Sequence, residues 1–141
     1  GPAKHRPAER YTPKVRNRQL IYLSRREFIR LVRQAYRQVP PAMREAMQNL
    51  DIVVEERPRP EDLDLADAQA TLFGMYTGVP LPDREGDEPL LPDRIVLYRR
   101  PILENCSSRA EAAREIRVTL LHEVGHYLGM NEEDLDRLGY G

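Results

Sequence analysis

Of the 141 residues only one is cysteine and none is tryptophan. The lone thiol, Cys106, cannot close a disulfide within the chain, so nothing implies an oxidising compartment. At the start of a helix and without a spaced partner, Cys106 reads as inert rather than reactive. No apolar run reaches the roughly 20 residues that span a bilayer. No positively charged start leads into an apolar stretch of the export type either, so a cytoplasmic setting without membrane contact is expected. Histidine is scarce as well, with only His5, His122 and His126. No internal repeat is evident.

Hydrophobic residues make up 40% and charged residues 32% of the chain, which suits a soluble domain. The length allows one modest core. The net charge of −1 conceals an asymmetry: Gly1 to Gln38 hold 11 basic against 2 acidic residues, and Val39 to Gly141 hold 11 against 21. Such a basic segment can attract an acidic partner or nucleic acid through counterion release. No recognised binding module accompanies the charge, so it reads as a solvated tail leading into a helix with a basic outer face.

Residues 1–19, with Pro2, Pro7 and Pro13 and little apolar periodicity, read as a flexible basic lead-in, and residues 20–141 as the domain. In "LSRREF" Ser24 can cap a helix, Glu27 can reach back, and Leu23 can pack on Phe28. Phe28, Leu31, Val32, Ala35 and Tyr36 then form an apolar stripe that should end before Pro40 and Pro41. A short helix from Pro41 to Asn49 is expected next. Three strands are predicted, Asp51–Pro58, Ala70–Gly78 and Arg94–Ile102, the last with Ile95, Leu97 and Arg99 on one face and Val96 and Tyr98 on the other. The acidic loop "EDLDLADA" and the connector "VPLPDREGDEPLLPD" separate them, and a connector of that length can border a cleft. Ser108 and Glu111 repeat the capping pattern before a helix carrying Ile116, Leu120, Val124 and Leu128. Gly129 supplies its left-handed stop, and Asn131 can cap a last helix through Leu138. The fold class is α+β, a small three-stranded sheet packed on helices.

The chemistry lies in the closing "LLHEVGHYLGMNEEDLDRLGYG". Four residues apart on a helix, His122 and His126 share a face and can aim imidazole nitrogens at one metal ion. Zinc suits such ligands and keeps a position open for water, whose pKa it lowers to about 7. Glu123, about 100° round the helix, can take that water's proton and pass it to a leaving amine. A third ligand is needed, and if the chain turns sharply at Gly129, Glu132 can swing back toward the metal. Glu133, Asp134 and Asp136 are its rivals, Asp134 the strongest, since acids here also suit the start of a helix.

"HEVGHYLGMNEE" resembles the zincin metallopeptidases. Together with "GVPL", "LPDRIVLYRRPIL", "RVTLLHEVGHYLG" and "LGYG" it resembles the bacterial mini-zincin family, over about Ser24 to Gly141. The resemblance implies a minimal zincin-like domain with a small twisted sheet, Zn2+ as cofactor, and His122, His126 and the acid three after Gly129 as ligands. That acid is commonly aspartate in the family; here Glu132 is one methylene longer. The methionine turn of the metzincin branch is missing, since nine residues follow Glu132 and Met130 precedes it. The resemblance implies that Tyr140 supports the site instead, although a buried tyrosine can equally anchor the tail. It implies a peptide or protein substrate laid along an exposed strand, and it allows a homodimer. Tyr127, Tyr98, Arg99 and Arg100 are candidate assisting groups, and each suits a surface position too. The expected function is zinc-dependent peptide hydrolysis. The competing one is an inactive zincin-like binding module whose basic segment recruits an acidic partner or nucleic acid.

Overall fold

The computed structural model describes residues 21–61, 73–78 and 93–138. The lead-in, most of the acidic loop, the connector as far as Pro92, His5 and Tyr140 lie outside the described residues. Among the described residues, the elements with both ends in view are five helices and three strands, in the order α1 (Arg25–Arg37), α2 (Pro41–Ala46), β1 (Leu50–Glu55), β2 (Gly74–Thr77), β3 (Asp93–Tyr98), α3 (Arg99–Glu104), α4 (Arg109–Tyr127) and α5 (Glu132–Leu138). The domain is α+β, as its sequence pattern predicts. No described helix is long and apolar enough to cross a membrane.

α1 begins with the expected capping box, in which the Glu27 N–H donates to Ser24 Oγ at 3.1 Å and the Ser24 N–H to the Glu27 carboxylate at 3.2 Å. Leu23 and Phe28 are both buried beside it, as a hydrophobic staple requires. α1 buries Phe28, Leu31, Val32 and Ala35 along one stripe and lies against α4. Full burial of a side chain such as Phe28 contributes about 1.5–3 kcal/mol. The second helix is shorter than its expected span to Asn49: it ends at Ala46, and residues 47–49 form a turn into β1.

The sheet order is β1-β3-β2, with β1 parallel and β2 antiparallel to the central β3. Ile95 and Leu97 join the main core with the helices, while Val96 and Tyr98 pack with Met75 on the opposite face. A central strand covered on both faces reads as a continuous apolar run, and "IVLY" does. Of the second predicted strand, Gly74–Thr77 is strand, and Ala70, Thr71 and Leu72 lie outside the described residues.

The third strand is shorter than its predicted span to Ile102. It ends at Tyr98, and Arg99 starts α3. Pro101 is the physical reason, since without an N–H it cannot sit in a central strand but is tolerated in the first turn of a helix. Arg99 is therefore not a strand residue. Its guanidinium donates to Glu56 at 2.8 Å, and Glu56 also meets Arg25 and Arg100 at 3.3 Å each. This carboxylate fastens the end of β1 to the starts of α1 and α3. Partial burial pushes the Glu56 carboxyl up, but the Arg99 charge and hydrogen bond, with those of Arg100, outweigh it and hold the pKa below the ordinary value.

Candidate metal centre

α4 carries the site. Its start shows half of the expected box: the Glu111 N–H donates to Ser108 Oγ at 3.1 Å, but the Glu111 carboxylate accepts from Ser107, one residue upstream of the cap. Its first half has alternating exposure, whereas every residue from Thr119 to Tyr127 is buried. The sheet approaches closely there, since a Cβ added at Gly74 of β2 would lie 2.8 Å from Thr119 Cγ2. In this wrapped segment sit His122, Glu123 and His126, with relative exposures of 7%, 0% and 8%.

The two imidazoles meet edge to face, with ring centroids 4.7 Å apart and their Nε2 atoms 3.1 Å apart. One ligand atom from each of His122, Glu123 and His126 falls within 4.8 Å of the others, and among the described residues this is the one cluster able to hold a metal ion. The donor set fits. With metal–nitrogen bonds of about 2.0–2.1 Å, two ligands of a tetrahedral ion stand roughly 3.3 Å apart, close to the separation found. Burying a carboxylate between imidazoles does little for stability by itself, because apolar residues of that volume hold a core as well or better. A divalent cation held by these donors would offset the cost of that burial.

α4 ends in a Schellman turn. Gly129 has φ 85°, its N–H donates to the His126 carbonyl at 3.0 Å, and the Met130 N–H donates to the Gly125 carbonyl at 2.8 Å. The predicted left-handed stop is therefore present, and it reverses the chain directly into α5. Asn131 caps α5 as expected, with the Asp134 N–H donating to Asn131 Oδ1 at 2.8 Å and the Asn131 N–H to Asp134 Oδ2 at 3.2 Å. Asp134 also pairs with Arg137. Glu133 and Asp136 are exposed. Glu132 is the first residue of α5, and its side chain lies outside the described residues.

The other candidates are bound up in structure. The Tyr127 hydroxyl donates to the Ala46 carbonyl at 3.0 Å, and its ring meets Tyr76 edge-on at 5.7 Å. Tyr98 is 1% exposed, so neither tyrosine is the surface residue its type would suggest. Arg99 and Arg100 are engaged with Glu56. Cys106 is buried in the core, which fits its reading as inert. The linear pattern does not single out Gly125, yet a Cβ there would lie 2.2 Å from Leu135 Cδ2. The available signal is that a glycine inside a helix costs about 1 kcal/mol against alanine and calls for a reason.

Residues 47–141, about two thirds of the chain, match the family model of zincin-like metallopeptidases. The chain belongs to this family. The matched stretch of this zincin-like protein includes all three strands, α4 and α5. Among solved structures it is similar to a conserved hypothetical protein of T. thermophilus, at 24% identity and a TM-score of 0.48, over 72% of this chain and 91% of that one. No curated protein matches it.

Proposed function

We propose that this zincin-like protein is a zinc-dependent metallopeptidase, with His122, His126 and Glu132 as the metal ligands and Glu123 as the general base. The observation that carries the reading is the convergence of two imidazole Nε2 atoms, 3.1 Å apart, beside a carboxylate with no solvent exposure. Zinc at these ligands supplies Lewis acidity, polarising a peptide carbonyl and lowering the pKa of water to about 7. Glu123 accepts the proton of the attacking water on its carboxylate and delivers it to the departing amine. Burial of that carboxylate strengthens each electrostatic interaction it makes, since little water competes. Support for Glu132 comes from its rivals: Asp134 is committed to Asn131 and Arg137, while Glu133 and Asp136 face solvent.

A peptide substrate aligns with a strand at the side of the sheet, adding main-chain hydrogen bonds. In the described sheet β3 is central. Of the two outer strands β2 makes the more extensive contact with α4, which favours it as the docking strand. The resemblance extends the proposal to Tyr140 as a supporting phenol. Tyr140→Phe should then lower kcat at unchanged zinc content, whereas a tail anchor would lower the melting temperature instead.

The decisive experiment is Glu123→Gln, assayed on a peptide library with zinc content measured in parallel. Loss of cleavage with one zinc retained per chain is the expected result. Cleavage equal to that of the unaltered protein would contradict the role of Glu123. Zinc retained in both proteins with no cleavage by either would leave a metal-holding binding module.

A further inference from the structure

Gly125 stands between the two histidines, three residues after His122 and one before His126. Its φ is not positive, unlike that of Gly129, so backbone freedom does not explain it. Contact does. A Cβ at this position would lie 2.2 Å from Leu135 Cδ2 and 3.2 Å from Leu135 Cγ. Leu135 has no solvent exposure, so its side chain has little room to withdraw. α5 thus presses a leucine into a notch on α4 that only glycine leaves open.

The same glycine also acts through its backbone, since its carbonyl accepts the Met130 N–H that closes the Schellman turn. The reversal and the seating of α5 are therefore fixed by residues within the histidine pair's own turn. Position 132 lies three residues before Leu135, about 60° round a helix of 3.6 residues per turn, and so on the same side of α5. Of the rival acids, Asp134 is engaged with Asn131 and Arg137, and Glu133 and Asp136 are exposed.

We infer that the Gly125–Leu135 contact is a positioning device. It sets how close α5 lies to the histidines and thereby brings the third ligand to the metal. This rests on the proposed zinc site with Glu132 as ligand. Gly125 and Leu135 touch neither metal nor substrate and act through Glu132.

The test measures zinc affinity of the full chain by competition with a chromophoric chelator, for the unaltered protein, Gly125→Ala, Leu135→Ala, Glu132→Ala and the Gly125→Ala/Glu132→Ala double variant. Absorption of the Co2+-loaded proteins reports ligand number, and circular dichroism reports folding. Residues that orient metal ligands typically change affinity by about 10- to 100-fold, and that loss is expected for both Gly125→Ala and Leu135→Ala. In the Glu132→Ala background, Gly125→Ala should cost less than about twofold more. If Gly125→Ala does not fold, Leu135→Ala with its own Glu132→Ala double carries the test, since it removes atoms instead of forcing them together. Unaltered affinity in folded Leu135→Ala, or losses that multiply in the double variant, would overturn the positioning role. A protein that binds no zinc at all defeats the proposed function instead, and Glu132→Ala with full affinity defeats the ligand assignment.

Discussion

Glu56 and Glu123 are the same residue in opposite circumstances. Glu56 keeps 44% of its side chain in solvent and is ringed by Arg25, Arg99 and Arg100, whereas Glu123 is fully buried beside two imidazoles. The first carboxylate has its countercharges supplied by the chain and does a fastener's work. The second sits in the turns of α4 where burial is continuous, with neutral-capable ligands that a cation can bridge. The comparison shows how to separate a structural charge from a chemical one. Where the fold supplies several permanent cations, the group holds elements together; where it sets a buried carboxylate beside two imidazoles, the group suits the proposed role of general base.

Substitutions at the two carboxylates should therefore show in different measurements. The largest effect belongs to Glu123→Gln, with a fall in kcat of at least about 100-fold, the usual range for removing a general base, and little change in melting temperature. Thermal melts and peptide turnover on one preparation check both halves. Glu56→Ala should do the reverse, leaving zinc content intact and destabilising the fold by about 1–3 kcal/mol, discounted from the cost of a fully buried pair because Glu56 is half in water. Urea unfolding measures it, and a change below about 0.3 kcal/mol would show the arginine cluster to be ornamental.

Smaller effects sharpen the boundary between the regions. Tyr127→Phe removes the hydroxyl bonded to the Ala46 carbonyl and should cost about 1 kcal/mol, with zinc affinity unchanged although the residue adjoins His126. A large drop in zinc affinity would move Tyr127 into the site. The smallest effect is the pH dependence at Glu56. Because its folded pKa is held below the ordinary value of 4.5, its contribution is present above the unfolded pKa and is lost as pH falls through the folded one. Stability measured from neutral pH down through that window should decline less steeply in Glu56→Gln than in the unaltered protein. Equal acid limbs would mean that the arginines leave Glu56 unperturbed.

How much of this was legible in the sequence follows from the range of each interaction. Ser24 with Glu27, the glycine stop at Gly129, the Asn131 cap and the face shared by His122 and His126 are all set within four residues of chain, and local spacing suffices to find them. The contacts that fasten the elements are not local. Arg99 meets Glu56 43 residues away, and no pattern around either residue announces the other. The end of β3 turned on Pro101 and on β3 being the central strand, a fact of topology that the linear pattern does not carry. Glu111 reached Ser107 rather than the capping residue because a glutamate side chain can serve either amide. The Gly125–Leu135 contact spans only ten residues, but it crosses a chain reversal, and its fit depends on where the Schellman turn delivers α5.

The central claim is that the His122–Glu123–His126 cluster is a zinc site. Its most direct test is the metal content of protein purified with neither zinc nor chelator added, beside His122→Ala. The account predicts about one zinc per chain, lost in the variant while the fold persists, as for a single site with three protein ligands. No metal in the unaltered protein, even after zinc is offered at neutral pH, would contradict it.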